Sequence, residues 1–403
     1  MLFSNPTVPG VRPLKSKGGE TMRPRWRRER QTLRVARKVK AVVAGSVAAL
    51  ERTVLPGRRQ PLSEIRDFLL LQYPAALGTA IHATPIVPAL RAALPECRIA
   101  VAASGFALEI FRNNPGVDWL IETPSPLKNL RGAVGSLRKQ NPFARGRFAA
   151  LTSLGNERTL VGIAGLMSGA NVRVGFTEVP QLFRTALKVD PARSLIDNNL
   201  RIVEALGYPF RHFEPETFCS EADLAWARTT LAEAKVQDGQ MVVAFVTQTS
   251  VTQRKNWRPE RFQAAARYLI ERHRAHIVFV GTAAEAAAID ALRAGLGNAT
   301  TSVAGKTSLP QVCALLRFCR VGLTLDTGTL HLGRTVGLPM VIIAPAWSPP
   351  IEWLPLDNPR YRILKNADMV VCPPDYVIDE VTVEEVTTAL DELIAAYPAG
   401  ATG

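Results

Sequence analysis

The sequence predicts an α/β protein of two doubly wound domains, preceded by a basic N-terminal helical extension. Three observations carry that expectation. Short apolar runs alternate with longer helical patterns over residues 61–398, which is how parallel sheets with crossover helices are written. Several strands end in a small-residue or hydroxyl-rich turn that opens a helix, the place where doubly wound folds hold ligands. The length of 403 residues exceeds what one core usually accommodates. With 47% hydrophobic and 21% charged residues, the composition suits a chain that buries a sizeable core.

The first domain is expected over residues 61–215. Ile65–Leu71 reads as its first strand, ending at Gln72-Tyr73-Pro74, and Ala75–Gly78 as the small-residue turn. A helix follows from Thr79 to Leu94, with Thr79 as its N-cap and with Pro85 and Pro88 kinking or restarting it. Cys97–Val101 is a strand and Phe106–Arg112 a helix. Val117–Ile121, Phe148–Ser153 and Val172–Phe176 are further strands, and Gly162–Leu166 is the centre of another helix.

The second domain is expected over residues 216–385. Met241–Val246 is a strand apolar on both faces, as a buried parallel strand should be. It runs into a hydroxyl-rich loop, Thr247 to Lys255, whose Thr249, Ser250 and Lys255 are suitable donors for phosphate oxygens. Glu260–His273 is an amphipathic helix and Ile277–Val280 a strand. Gly281–Glu285 turns into another helix, Ser302–Ala304 is a short strand, and Leu309–Phe318 a helix. The organising stretch comes next. Val321–Leu325 is a strand, Asp326-Thr327-Gly328 a tight turn, and a helix runs from there towards Gly337. Free amides at that helix start, with the positive end of the helix dipole, make a ready phosphate site. Thr327 and His331 stand near enough to add side-chain donors, and Gly328 permits close approach of a ligand. Read on spacing alone, the same stretch is equally an ordinary strand-to-helix turn. Met340–Ile343 is a strand and Val383–Tyr397 a closing helix.

The remaining composition narrows the class. Cys97, Cys219, Cys313, Cys319 and Cys372 show no metal-type spacing and read as reduced thiols. No Asp-x-Asp or His cluster points to a metal, and no cofactor is expected. Nothing resembles a cleavable signal, and the run Ala41–Leu50 falls far short of the ~20 residues of a membrane span, so a cytoplasmic protein is expected. Charge is uneven: residues 1–60 carry +12 of the net +14, and the remainder only +2. Within that head, Leu33, Ala36, Val39, Val43, Val47, Leu50 and Val54 form one helical stripe, basic in its first half, with Trp26 among four arginines. Residues 23–55 suit an anionic membrane surface. The competing reading docks the stripe on the protein's own body. Nucleic acid ranks last, since no binding motif accompanies the charge.

The run Asp326-Thr327-Gly328-Thr329-Leu330-His331-Leu332, followed by Gly337-Leu338-Pro339 and Met340–Ile343, resembles the donor-site signature of glycosyltransferase family nine, the ADP-heptose:lipopolysaccharide heptosyltransferases. Lys255-Asn256-Trp257-Arg258-Pro259-Glu260-Arg261-Phe262 resembles the family's Lys-x-Trp-Pro-x-x-x-Phe segment with one inserted residue. Ala304–Leu309 resembles its Ala-Gly-Lys-Thr-Ser-Leu segment. The resemblance covers residues 64–398 and implies the GT-B type, two Rossmann-like domains facing a central cleft. In that fold the closing helix, here Val383–Tyr397, often crosses back to the first domain, so the helix end and tail over residues 386–403 are set apart from the second domain.

The resemblance also assigns roles. It places Thr249, Ser250, Lys255 and the amides of Thr327–Leu330 beside the donor's diphosphate, and Glu285 near the ribose. Asp326 holds the turn. Trp347, in the loop Pro345–Pro349, either stacks on a base or sugar or is structural. The segment Leu77-Gly78-Thr79 to Pro85 matches a Leu-Gly-Asp turn whose Asp is the catalytic base, and here Thr79 stands in its place. A threonine hydroxyl cannot hold the acceptor's proton near neutrality. Three explanations stay open: His82 or Glu109 serves as base, the acceptor needs little help, or transfer has been lost. The implied activity is inverting, metal-independent transfer from a nucleotide-diphosphate sugar, ADP-heptose first, to a lipopolysaccharide-core or other cell-surface glycan. A non-catalytic nucleotide-sugar-binding protein is the alternative, and a nucleotide-sugar epimerase ranks third.

Overall fold

The computed structural model describes residues 61–248, 255–347, 353–356, 358–366 and 376–398. The basic extension, Thr249, Ser250 and Cys372 lie outside them. Two six-stranded sheets, every strand parallel to its neighbours, make up the architecture.

The first sheet holds β1 (Asp67–Gln72), β2 (Arg98–Ala103), β3 (Trp119–Glu122), β4 (Ala149–Thr152), β5 (Val172–Phe176) and β6 (Thr185–Leu187). Its spatial order is β3-β2-β1-β4-β5-β6. The second holds β7 (Val242–Val246), β8 (His276–Phe279), β9 (Thr300–Ser302), β10 (Val321–Leu325), β11 (Met340–Ile343) and β12 (Tyr361–Leu364), ordered β12-β11-β10-β7-β8-β9. Counted from its own first strand, each sheet therefore runs 3-2-1-4-5-6. That order reverses direction between the first and fourth strands, and ligands bind at the carboxyl ends there. The β1/β4 and β7/β10 ends are thus the places to look.

Helices cover both faces of each sheet, so β1, β7 and β10 are buried along their whole length. In the first domain α1 (Leu77–Ile81), α2 (Ile86–Ala93), α3 (Phe106–Phe111) and α6 (Leu195–Ala205) contribute to one face. On the other lie α4 (Leu130–Gln140) and α5 (Thr159–Met167). In the second domain α7 (Glu221–Glu233), α10 (Leu309–Leu316) and α11 (Gly328–Thr335) share the inner face, while α8 (Pro259–His273), α9 (Ala286–Arg293) and α12 (Val383–Ala396) cover the outer one. One apolar cluster runs unbroken from Phe68 and Leu70 of the first sheet to Ala244 and Ile342 of the second.

The segment Thr79–Leu94 restarts at its prolines as expected, giving two helices broken at His82–Pro85; Pro85 supplies the N-cap of α2 and Pro88 falls in its first turn, where a missing N–H costs nothing. Other expectations are corrected. Thr79 is not an N-cap, because α1 begins at Leu77 with Ala76 before it. The strand expected at Ser302–Ala304 lies two residues earlier. Helix α12 packs on α8, β10, β11 and β12 of its own domain rather than crossing to the first.

Candidate active site

Between the domains lies a cavity of about 680 Å³, walled by the β1–α1 turn on one side and by the ends of β7, β8 and β10 on the other. Its floor is the start of α11. Thr327 is the N-cap residue, with extended backbone at φ −136°, yet no side chain caps the helix. The Thr327 hydroxyl is buried without a hydrogen-bond partner among the described residues. A helix whose own cap side chain is unengaged keeps its first amides available, and Thr327, Gly328 and Thr329 line the cavity. Gly328 also meets the opposite domain closely: a Cβ there would stand 3.1 Å from the Cβ of Leu77.

A positive charge is held beside these amides. Lys255 Nζ lies 2.6 Å from the Asp326 carboxylate, with the two side chains 12% and 5% exposed. The structure thus gives Asp326 a partner in Lys255. The same ammonium stands 5.4 Å from the centre of the Trp347 ring, close enough for a cation–π contact. Among the described residues no group of three or more His, Cys, Asp or Glu side chains could hold a metal ion. Glu285, which also lines the cavity, accepts the backbone N–H of Thr282 at 2.7 Å in a capping box.

The first-domain wall differs from expectation. Thr79 turns its methyl towards Gly155, whose φ of +80° admits no side chain easily and where a Cβ would stand 2.3 Å from Thr79 Cγ2. His82 does not face the cavity. It is 1% exposed, and its Nε2 lies 3.0 Å from Nδ1 of His331 on α11. Burial, then the neighbouring His331 and the positive charge of Arg334, hold its imidazole well below the usual histidine range. The group is a neutral inter-domain contact, not an accessible base. Glu109 is also engaged, its Oε2 accepting the backbone N–H of Leu309 at the start of α10, 3.0 Å away. His331 lines the cavity, and burial with Arg334 and Lys255 nearby pushes it down to about 3.

Among the cavity residues not singled out from sequence are two aromatic ones, Phe106 and Trp353. Phe106 opens α3 and is 43% exposed, an uncommon setting for so large an apolar group. Trp353 tilts against both histidines, its ring 5.2 Å from His82 and 5.8 Å from His331. Neither carries a spacing signal. Trp353 is placed by tertiary packing alone.

Comparison with known proteins bears on this geometry. The family described as glycosyltransferase family 9 (heptosyltransferase) matches residues 164–369. The lipopolysaccharide core heptosyltransferase OpsX of Haemophilus influenzae is 22% identical over 292 residues, covering 70% of this chain and 80% of that protein. Among solved structures, a family 9 glycosyltransferase from Veillonella parvula superposes with a TM-score of 0.74 at 18% identity, covering 84% of this chain and 99% of its own. The ADP-heptose lipopolysaccharide heptosyltransferase II of E. coli gives 0.67 at 19% identity, covering 81% and 98%. These structural likenesses show a shared two-domain fold.

Proposed function

The chain belongs to glycosyltransferase family 9 and is a glycosyltransferase, and from that premise we propose that it moves a sugar, a heptose in the first instance, from a nucleotide-diphosphate donor to a lipopolysaccharide-core or other surface glycan. ADP-heptose is the donor to try first, because the E. coli relative is an ADP-heptose enzyme and the Haemophilus relative a core heptosyltransferase.

One observation carries the reading: the uncapped start of α11 and the Lys255 ammonium converge on the inter-domain cavity. Departure of a diphosphate is the step that needs help, and fixed amides with a cation stabilise the developing charge without a metal ion. On this reading Thr249, Ser250, Lys255 and the Thr327–Leu330 amides hold the diphosphate, and Glu285 meets the ribose. An acceptor hydroxyl entering from the Leu77–Thr79 side attacks the anomeric carbon opposite the departing oxygen, so the configuration inverts. The basic residues among positions 23–55 would keep the enzyme on the anionic inner face of the membrane that carries its acceptor.

A second reading rests on Thr79. With no carboxylate at that turn, and with His82 and Glu109 both engaged, the chain is a nucleotide-sugar-binding protein with transfer impaired. Calorimetric titration of the whole protein with ADP-, UDP-, GDP- and dTDP-sugars, without metal and with Lys255→Ala as control, tests the donor site. Saturable binding of one nucleotide class, lost in the control, supports it. Binding of none overturns both readings. Release of nucleotide on adding glycan acceptor then separates transfer from binding.

A further inference from the structure

His82 and His331 meet across the domain boundary with one nitrogen from each ring 3.0 Å apart. Both are buried, 1% and 3% exposed, and Arg334 bears on both as a positive charge. Two neutral imidazoles at this distance share a single N–H, which belongs to one ring and points at the lone pair of the other. The surroundings decide which. His82 Nδ1 has no hydrogen-bond partner among the described residues. If His82 accepted from His331, its own proton would sit on Nδ1 as a buried donor with nothing to bond. Orphaned buried N–H groups are rarer than under-used acceptors. His82 therefore carries its proton on Nε2 and donates to His331 Nδ1. His331, accepting there, must carry its proton on Nε2.

That second nitrogen is the one that matters. The Nε2–Cδ2 edge of His331 lies against Gly78, where a Cβ would be 3.0 Å from Nε2, and both residues line the cavity. The pair is locked in place: Asn199 Nδ2 donates to the His82 carbonyl at 2.8 Å, and Trp353 packs on both rings.

We propose that His82 is a positioning residue that fixes the His331 proton on Nε2, so that His331 meets the cavity as a neutral hydrogen-bond donor to an anionic oxygen of the nucleoside diphosphate. The identity of the ligand rests on the function proposed above; the proton assignment does not. Because the two rings belong to different domains, the donor at Nε2 is fixed only while the domains are together.

The test begins with the whole protein, ¹⁵N-labelled at histidine, and two-bond ¹H–¹⁵N correlations. His331, identified by the loss of its signals in His331→Gln, is expected to show a protonated Nε2 and a bare Nδ1. A proton on Nδ1, or on both nitrogens, overturns the proposal whatever the protein binds. In His82→Gln the side-chain amide donates from nearly the same place and the assignment is kept. In His82→Glu an acceptor faces Nδ1 and the His331 proton moves there. ADP, used as the nucleoside-diphosphate probe, is expected to bind the Glu variant about tenfold more weakly than the Gln variant, one charge-assisted hydrogen bond being lost. Equal affinity of the two variants overturns the link to the ligand. Should the Glu variant not fold, the wild-type spectrum still decides. Failure of wild type to bind any nucleotide would fall on the proposed function, while the spectra judge the proton assignment separately.

Discussion

Lys255 and Asp326 are 71 residues apart in sequence and 2.6 Å apart in the structure. The pair ties the loop after β7 to the turn after β10, across the point where the strand order of the second sheet reverses. Removing Lys255 should therefore have two separable effects. Lys255→Ala leaves the nearly buried Asp326 carboxylate without its cation, a loss of about 3 kcal/mol in denaturant unfolding. It also weakens nucleotide-diphosphate binding by about tenfold or more, the scale of a charge-assisted hydrogen bond. Adding Asp326→Ala should recover much of the stability and none of the binding.

Gly78 is a steric contact point between the domains. An added Cβ would lie 2.6 Å from His331 Cδ2, too close without movement of the ring or of the domains. Gly78→Ala should cost about 1–3 kcal/mol as an overpacked site and lower the transfer rate more than it weakens ADP binding. Unfolding curves and steady-state kinetics on the same preparation check this.

Thr79→Asp restores a carboxylate to the acceptor-side turn. General-base assistance is worth about 10²–10⁴ in rate, so nucleotide release in the presence of the correct acceptor should rise by at least the lower figure. Donor affinity should not change. An unaltered rate would mean that proton removal at this turn does not limit the reaction.

The linker carries a pH-sensitive network. Hydrogen bonds to Asp197 of α6 and then to Glu214 raise His212 to about 9. Burial alone would raise Glu214, but bonds from His212 and from Arg334 of α11 outweigh it and bring it to about 2. An unfolded histidine titrates near ~6.5, so the contribution of charged His212 is fully present below that value and disappears as pH rises through about 9. The Glu214 contribution runs the other way: it is present above the ordinary carboxylate range and lost as pH falls towards about 2. Thermal melts should show a decline between neutral and alkaline pH that His212→Gln abolishes. The effect should be modest and weaken with salt, since His212 is 45% exposed.

The whole protein should sediment with vesicles containing anionic lipid and be released by salt. Reversing three charges with Arg25→Glu, Arg27→Glu and Arg28→Glu should cost about 1 kcal/mol per cation removed from the surface. Unchanged sedimentation would favour docking of the apolar stripe on the protein's own body.

Much of the second domain was legible in sequence because its signals are local. The β10–turn–α11 unit declares itself through an apolar run, a polar turn and a glycine, all within a dozen residues. The segments on either side of the Gly207–Ser220 linker were read less completely. Helices α6 and α7 escaped notice although Ser194 and Ser220 cap them, because their apolar stripes are interrupted by buried Asn198 and Asn199 in one and by a weakly amphipathic pattern in the other. The burial of His82 was not legible. It depends on His331, 249 residues away, and on Trp353, whose position no periodicity marks. Chemistry at a domain boundary is written in two distant segments, and neither alone reveals that they touch.

The repeated 3-2-1-4-5-6 order gives each half of the molecule its own set of loops at the carboxyl ends of its strands. Although the two halves share one apolar cluster, these loops can differ in sequence without altering either sheet. On the proposed function, the Asp326–His331 segment of the second half and Thr79 of the first can therefore be varied independently. Chimeras joined in the Gly207–Ser220 linker should exchange acceptor preference and donor preference as independent traits.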